Sequence, residues 1–164
     1  MMDTEHKIPE SVLVVIHSAE LDVLLIERED RPGYWQSVTG SKDALDEPLI
    51  DTAVREVWEE TGIRVVDETA DSLRHRNDIS VRNLRDWHLS NIYEIYPVWR
   101  HRYAPGITKN TEHVFGLLVP RTIPITLSPR EHVNHLWLPY REAADKCFSP
   151  SNAEAILQLP QHVA

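Results

Sequence analysis

Three glutamates at helical spacing dominate residues 55–63, which read REVWEETGI. In an α-helix, Glu56, Glu59 and Glu60 stand at i, i+3 and i+4 and fall within about 100° of one face. Like charges at i,i+4 destabilise an ordinary surface helix by roughly 0.2–0.5 kcal/mol. A divalent cation reverses that repulsion, because clustered carboxylate oxygens suit Mg²⁺ or Mn²⁺. The pattern therefore predicts a helix that carries a metal site.

The residues around the glutamates predict where this helix begins, ends and faces the core. Pro48 suits the first helical position, which makes Asp46 or Glu47 the expected cap, and Thr61-Gly62 supplies the C-terminal stop. Apolar residues are expected to form the buried face, with Leu49, Ala53 and Val57 at four-residue spacing, widened by Ile50, Val54 and Trp58.

Apolar runs elsewhere predict a mixed arrangement of strands and helices. Strands are expected at residues 11–17, 23–28, 34–39, 63–66, 91–96, 112–119, 123–127 and 133–138, and closing helices at 140–147 and 151–159. Within residues 91–100 the strand pattern lasts only until Pro97. Residues 67–90 have no clear period and predict a long loop with one short strand near 79–81. Their arginines are expected on a solvated surface: Arg74, Arg76, Arg82 and Arg85. The pattern predicts an α+β fold, an α/β/α sandwich with a mixed central sheet, in a single domain over residues 1–164.

Charge and cysteine content restrict the classes of function. The net charge of −9 argues against a general nucleic-acid binder, which normally carries a basic excess. A phosphorylated small molecule remains compatible, since a metal ion supplies positive charge locally. Cys147 is the only cysteine and the polar N-terminus is unlike a signal peptide, so a reducing, cytoplasmic location is expected. The longest apolar run, residues 12–16, is too short to span a membrane.

The glutamate segment, with Gly40 and Glu47 upstream, resembles the Nudix box, G-x5-E-x7-R-E-U-x-E-E-x-G-U with U aliphatic. The one departure is that six residues, rather than five, separate Gly40 from Glu47, which leaves the position of Glu47 open. The resemblance implies a loop–helix–loop that holds Mg²⁺, with Mn²⁺ as a substitute. It also implies hydrolysis of a diphosphate bond in a nucleoside-diphosphate-like substrate.

This resemblance assigns roles to the acidic residues. It implies Glu56, Glu59 and Glu60 as metal-site glutamates and Glu131 as a further ligand, with Glu112 competing for that last role. Arg55, Glu56 and Glu59 are the expected catalytic residues. Arg55 lies four residues before Glu59, the spacing at which a guanidinium orients a carboxylate, although an ordinary surface pair has the same spacing. One glutamate is expected to act as general base for the attacking water.

A narrower resemblance covers residues from about 7 to 152, except 67–90. Residues 35–41 (WQSVTGS) and 100–112 (RHRYAPGITKNTE) resemble segments of bacterial dihydroneopterin triphosphate pyrophosphatases. That implies release of pyrophosphate and formation of dihydroneopterin monophosphate in folate synthesis. The matching substrate contacts are Lys7, Arg28, Thr39, Tyr93, Glu94, Ile95, Tyr96, His132 and Ser149. Lys7 and Arg28 suit phosphate oxygens, and an aromatic strand with a carboxylate suits a flat, amino-bearing pterin.

Two other functions remain open at this point. A housecleaning pyrophosphohydrolase for ordinary or modified (d)NTPs needs a similar pocket, because the pterin ring is guanine-like. A non-catalytic ligand-binding Nudix module commonly loses box glutamates, which this chain keeps. The sequence also leaves open whether the α or β phosphorus is attacked, the number of metals, the oligomeric state, and whether residues 100–103 bind phosphate or hold a loop.

Overall fold

A computed structural model describes residues 6–68 and 73–163. Its strands are β1 (Glu10–His17), β2 (Asp22–Arg28), β3 (Trp35–Gln36), β4 (Val38–Ser41), β5 (Arg64–Val66), β6 (Asp78–Ser80), β7 (Leu84–Glu94), β8 (Lys109–Leu118) and β9 (His132–Pro139). Its helices are α1 (Leu49–Thr61), α2 (Tyr140–Lys146), α3 (Pro150–Leu157) and α4 (Leu159–His162), with 3₁₀ segments at Val81–Asn83 and Pro97–Arg102.

Within those ranges, seven strands form a mixed sheet organised around β1. β1 runs parallel to β8 along its whole length and antiparallel to β4 and to the start of β2. β2 also pairs with β3 and β9, and β7 lies outside β8. β5 and β6 form a separate parallel pair. No helix in the described ranges is long and apolar enough to cross a membrane.

Both faces of β1 are covered, which explains its nearly continuous apolar sequence. On one face Val12 and Val14 pack in a cluster with Val57 of α1. On the other face Leu13 packs in a cluster that includes Ile156 of α3. Helices on both faces of a mixed sheet confirm the predicted α/β/α sandwich.

Helix α1 spans the predicted residues but is rotated relative to the expected face. Ile50 and Trp58 are 41% and 50% exposed, so the prediction that they widen the buried face is wrong. The buried face instead continues onto Thr52, Glu56 and Glu60. The rotation occurs because carboxyl groups of α1 point toward the sheet edge, into the site described below.

The two ends of α1 differ in how well the sequence predicts them. Gly62 ends the helix at φ +75°, with its N–H donating to the Trp58 carbonyl, as predicted. The predicted cap by Asp46 or Glu47 is wrong: Pro48 occupies the cap position and no side chain caps the first turn. The Glu47 carboxylate is bonded to Arg55 instead.

The predicted long loop is partly wrong. Residues 69–72 lie outside the described ranges, but β6 forms near the predicted short strand and β7 begins at Leu84. A register shift between Asp86 and Leu89, with His88 at φ +55°, breaks the alternation that identifies a strand in the sequence. The four arginines predicted on a solvated surface are exposed: Arg74, Arg76, Arg82 and Arg85.

Two other predicted strands are also corrected. The strand predicted from Asn91 until Pro97 begins earlier, at Leu84, and ends at Glu94, and Pro97, which cannot donate to a ladder, starts a 3₁₀ segment. Residues 123–127 form no strand. The Thr126 N–H donates instead to the Thr61 carbonyl at the end of α1 (2.8 Å). The predicted closing helices correspond to α2 and α3, the latter followed by α4.

Candidate active site

Gly40 in β4 makes room for the carboxyl group of Glu56. A Cβ built on residue 40 would overlap that carboxyl group, so any side chain there must displace it. The glycine and the glutamate are brought together because α1 packs across β4. A glycine sixteen positions upstream thus determines where the Glu56 carboxylate lies.

Arg55 orients the carboxylates around it. Its Nη1 donates to Glu56 Oε2 (2.9 Å), its Nη2 to Glu47 Oε1 (3.0 Å) and its Nε to Glu47 Oε2 (3.2 Å). A further bond from Nη2 reaches the Ser41 carbonyl (3.0 Å). The helical neighbour Glu59 is farther away, at 3.6 Å from Nη1. Arg55 therefore positions mainly Glu56 and Glu47, rather than Glu59 as the spacing suggested.

Glu47 has a defined place despite the extra loop residue. Its Oε1 also accepts from Thr52 Oγ1 (2.8 Å) and the Asp43 N–H (2.9 Å). Hydrogen bonds from Arg55 hold the pKa of Glu47 at about 2. Glu47 is consequently ionised and holds Arg55 in place. The position of Glu47, which the six-residue spacing from Gly40 left open, is thereby defined.

Glu56 and Glu60 form a buried carboxyl pair. Burial raises the pKa of Glu56, and burial together with the charge of Glu56 raises the pKa of Glu60 well above its usual range. Glu60 is 2% exposed, and its Oε1 has no hydrogen-bond partner within the part of the chain that the structure describes. The Glu59 side chain, by contrast, is 49% exposed. Between two carboxyl groups buried this close together, a bound cation can offset the negative charge in place of a proton.

Glu60 lines a cavity of about 430 Å³, which we call the charged cavity. Glu131, at the start of β9, lines it too, and its charge contributes to the raised pKa of Glu60. Glu112 does not line the charged cavity. Of the two candidates for the extra ligand, the structure therefore brings Glu131 and not Glu112 toward Glu60. In residues 6–68 and 73–163, no three His, Cys, Asp or Glu side chains already converge as a complete metal site.

Cationic side chains also line the charged cavity. Lys7, Arg28, Arg102 and Arg130 line it. The indole of Trp99 lies within 5.1 Å of the Arg28 guanidinium and 5.8 Å of the Arg102 guanidinium. Cations grouped in one cavity with carboxylates suit a ligand whose phosphates bridge a metal and arginines.

Arg28 and Lys7 are each fixed by a specific contact. Arg28 donates from Nε and Nη2 to the two carboxylate oxygens of Asp30, both at 2.9 Å. The Lys7 N–H donates to the Arg102 carbonyl (2.7 Å), which ties this lysine to the 3₁₀ segment. His132 is buried beside them, and burial together with the nearby Arg28 charge lowers its pKa to about 4, so it is neutral at pH 7.

A second cavity, of about 490 Å³, adjoins the first and is called the aromatic cavity here. Arg28, Thr39 and Trp99 line both cavities, so the two form one continuous site. Five aromatic side chains line the second cavity: Tyr93, Tyr96, Trp99, Tyr103 and Phe148. A flat ring in this cavity would place an attached phosphate chain next to the carboxylates.

The profile of the NUDIX domain matches residues 7–159. The chain belongs to the Nudix family. Dihydroneopterin triphosphate diphosphatase of Escherichia coli (strain K12) is 40% identical over 160 residues, which cover 97% of each chain. The enzyme of that name in Haemophilus influenzae (strain ATCC 51907 / DSM 11121 / KW20 / Rd) is 38% identical over 93% of this chain and 87% of its own. The solved E. coli dihydroneopterin triphosphate pyrophosphohydrolase has a TM-score of 0.75 at 37% identity, covering 93% and 95%.

These matches confirm both resemblances read from the sequence, to the Nudix box and to the pterin-specific group. Within this Nudix site, several predicted substrate contacts are already engaged by the protein. Thr39 Oγ1 donates to the Val12 carbonyl (2.9 Å), and Ser149 Oγ accepts from the Asn152 N–H at the start of α3 (3.4 Å). Both residues still line the aromatic cavity.

The predicted contacts in residues 93–96 behave differently from one another. Tyr93 and Tyr96 expose their rings to the cavity, whereas Ile95 is buried. Glu94 is exposed and accepts from Arg100 Nη2 (3.1 Å). Arg100 also donates to the Ile95 carbonyl (2.9 Å), so it holds the loop. Of the two roles considered for residues 100–103, holding the loop is thus observed for Arg100, and Arg102 and Tyr103 line the charged cavity, where phosphate binding stays a prediction.

Two residues of this Nudix site were missed by the sequence reasoning. Nothing in the sequence context of Trp99, just after Pro97, indicates that arginines pack around its indole. The sequence offers Glu112 as a competing metal ligand or as a structural acid at the start of a strand, but not as a substrate contact. Its position two residues before the buried Val114, on the same face of the strand, is the signal that could have identified a buried carboxylate.

Proposed function

We propose that this protein hydrolyses dihydroneopterin triphosphate to dihydroneopterin monophosphate and pyrophosphate, with Mg²⁺ as cofactor. The observation that carries the proposal is the continuity of the two cavities through Arg28, Thr39 and Trp99. A flat ring fits one, and a chain of phosphates fits the other. Relatives named for this substrate, at 38–40% identity over nearly the full chain, support the same conclusion.

The donor set fits a divalent cation. Glu60 offers a buried oxygen without a partner, and Glu56 is held beside it by Arg55. Glu56 and Glu60 would hold Mg²⁺, with Glu131 from β9 and the exposed Glu59 completing the carboxylate set. When bound, Mg²⁺ offsets charge on the phosphates and activates water.

The protein's own groups account for binding and orientation. Lys7, Arg28 and Arg102 bind phosphate oxygens and offset the negative charge that builds on the departing pyrophosphate. Arg55 keeps the Glu56 carboxylate in one orientation through the 2.9 Å bond. Water attacks phosphorus, the bridging P–O bond between the α and β phosphates breaks, and the proton from water passes to a base. We assign that base to Glu59, which is the exposed glutamate of the three.

A (d)NTP pyrophosphohydrolase is the second candidate. Guanine nucleotides carry the same triphosphate, and their ring presents the same amino and amide groups as a pterin. The aromatic cavity is therefore compatible with them. A non-catalytic module is disfavoured because Glu56, Glu59 and Glu60 are all present and Arg55 positions Glu56.

A substrate panel with Mg²⁺ tests the proposal. Purified protein should release pyrophosphate, not orthophosphate, from dihydroneopterin triphosphate with a higher kcat/KM than from dGTP, dATP or dCTP. Glu56→Gln should remove most of this turnover without changing the thermal midpoint by more than a few degrees. Rapid hydrolysis of dNTPs with no pyrophosphate from the pterin compound would refute the substrate assignment.

A further inference from the structure

A buried carboxylate that the proposed chemistry does not use lies in the aromatic cavity. Glu112 of β8 is 5% exposed, and among residues 6–68 and 73–163 its Oε1 has no hydrogen-bond partner. Burial raises the pKa of Glu112 to about 7, although hydrogen bonds with the side chains of Ser151 and Thr39 lower that pKa in part. An unpaired buried carboxylate oxygen is costly, and such groups in native proteins generally have a function or an absent partner.

The position of Glu112 suits ring recognition rather than metal binding. It lines the aromatic cavity together with Tyr93 and Phe148, and it does not line the charged cavity that contains Glu60. Along β8 it shares a face with Val114, on the side of the sheet covered by α2 and α3. A ring held between aromatic side chains would thus present its edge to this carboxylate.

Glu94 is the other carboxylate that lines this cavity from a strand, and it is less suited to the role. It is exposed to solvent and paired with Arg100 at 3.1 Å. A hydrogen bond from a ligand to Glu94 would compete with both water and that arginine. Glu112 is shielded from water, so a bond to it discriminates more strongly between ligands.

We propose that Glu112 is the specificity-determining residue of this site and accepts two parallel hydrogen bonds from the adjacent amino and ring N–H groups of the substrate's heterocycle. In a pterin these donors are the 2-amino group and N3–H, and in guanine they are the 2-amino group and N1–H. Two N–H donors side by side match the two oxygens of a carboxylate. The inference rests on the proposed function and deepens it, since it names the group that selects the ring.

Rings without this donor pair leave the carboxylate unsatisfied. Adenine and cytosine each present an amino group beside a ring nitrogen that only accepts, and thymine presents a single N–H between two carbonyls. Binding any of them would bury Glu112 without its second donor. A site built around a buried hydrogen-bonding group rejects ligands that lack the complementary group far more strongly than an apolar pocket does.

The test is Glu112→Gln, which preserves shape but replaces one acceptor with an NH₂ donor facing the ring. For dihydroneopterin triphosphate and dGTP we expect KM to rise about 10- to 100-fold with a smaller change in kcat. For dATP, KM should stay unchanged or fall, since the glutamine amide can donate to the adenine ring nitrogen that the carboxylate leaves without a partner. Neopterin, which has no phosphates, should lose affinity by the same factor as the triphosphate when measured by its fluorescence.

Two controls separate specificity from folding. Glu142→Gln changes an exposed glutamate in the first turn of α2 and should alter none of these constants. The thermal midpoint of Glu112→Gln should equal or exceed that of the wild type, because the variant buries an amide in place of a carboxylate. An equal rise in KM for dihydroneopterin triphosphate, dGTP and dATP would show that Glu112 has a structural role and would overturn the inference.

The outcomes also separate this inference from the proposed function. If the wild type hydrolyses dihydroneopterin triphosphate while Glu112→Gln keeps wild-type KM and neopterin affinity, the inference is overturned and the function stands. If the wild type binds neopterin in a Glu112-dependent way but releases no pyrophosphate from the triphosphate, ring recognition is supported and the proposed reaction is rejected.

Discussion

Gly40 lies against the carboxyl group of Glu56 so closely that no Cβ fits between them. The loop and the helix of the Nudix box therefore depend on each other: the glycine is required by the position of a side chain in another element. Many glycines are explained by a backbone conformation that other residues rarely adopt, whereas this one, inside β4, is explained by the space that the Glu56 carboxyl group occupies.

Gly40→Ala should lower kcat about 100-fold, because the added methyl displaces Glu56 from the metal site. Steady-state pyrophosphate release at saturating Mg²⁺ measures the effect. Gly106→Ala is the matched control, since a Cβ there meets nothing within 4 Å and its φ of +89° makes the cost one of backbone strain alone. Unchanged kcat in Gly40→Ala would contradict this view of the contact.

Arg55 and Glu47 should behave as a coupled pair. Arg55→Lys removes the planar fork that reaches both Glu47 and Glu56, and we expect kcat to fall about 10- to 100-fold. Glu47→Gln should have a smaller effect that nearly vanishes in the Arg55→Lys background, because Glu47 acts through Arg55. A double-mutant cycle on kcat/KM measures the coupling; additive losses would mean that Glu47 has an independent role.

Metal binding should stabilise the fold through Glu60. Mg²⁺ at about 100 times its Kd should raise the free energy of unfolding by about 2.7 kcal/mol, and EDTA should reverse the rise. Glu60→Gln should lose most of this response. Glu131→Ala should shift the Mg²⁺ midpoint to higher concentration, whereas Glu112→Ala should not. The opposite order in a Mg²⁺ titration would identify Glu112 as the further ligand.

Trp99→Leu should weaken binding more than chemistry. The indole packs against the guanidinium groups of Arg28, Arg31 and Arg102 at 5.1 to 5.8 Å, and each such contact contributes roughly 0.5–1 kcal/mol at an exposed site. KM for the triphosphate should therefore rise about tenfold while kcat changes little. A variant with lower kcat and unchanged KM would show that Trp99 affects the reacting groups instead.

The stability of the metal-free protein should depend on pH through Glu112. Its pKa is raised from 4.5 to about 7, so between these values the folded state binds more protons than the unfolded state. Stability from this group is therefore present below pH 4.5 and declines as pH rises toward 7, by up to about 3 kcal/mol. Urea unfolding with EDTA at pH 5 and pH 8 should show a smaller decline for Glu112→Gln than for the wild type. Equal declines would mean that Glu112 does not titrate in this range.

The sequence predicted the elements whose signals are local. The spacing of the glutamates, Pro48 and Gly62 together define α1, and continuous apolar runs identify β1 and β2. It failed where tertiary contacts override the pattern. The shift between Asp86 and Leu89 hides β7, and the face of α1 is rotated because Glu56 and Glu60 are buried in place of Ile50 and Trp58.

For the site, as for the fold, the sequence predicted the local features and missed those that depend on tertiary contacts. The residues within the Nudix box could be assigned because the box is contiguous. The contributions of Trp99 and Glu112 depend on how distant strands and a 3₁₀ segment meet, and no spacing along the chain encodes that. Residues whose roles come from long-range packing are the ones that sequence reasoning alone does not assign.

The bond between the Lys7 N–H and the Arg102 carbonyl has a practical consequence for handling this protein. Lys7 and Arg102 both line the charged cavity, so this bond fixes the Lys7 backbone at the wall of that cavity. An affinity tag ahead of Lys7, particularly a polyhistidine that binds metals, adds metal ligands to the segment that leads into a residue of the cavity wall. Purification with a tag after α4, or with complete removal of an amino-terminal tag, is the appropriate design for every measurement of affinity and turnover.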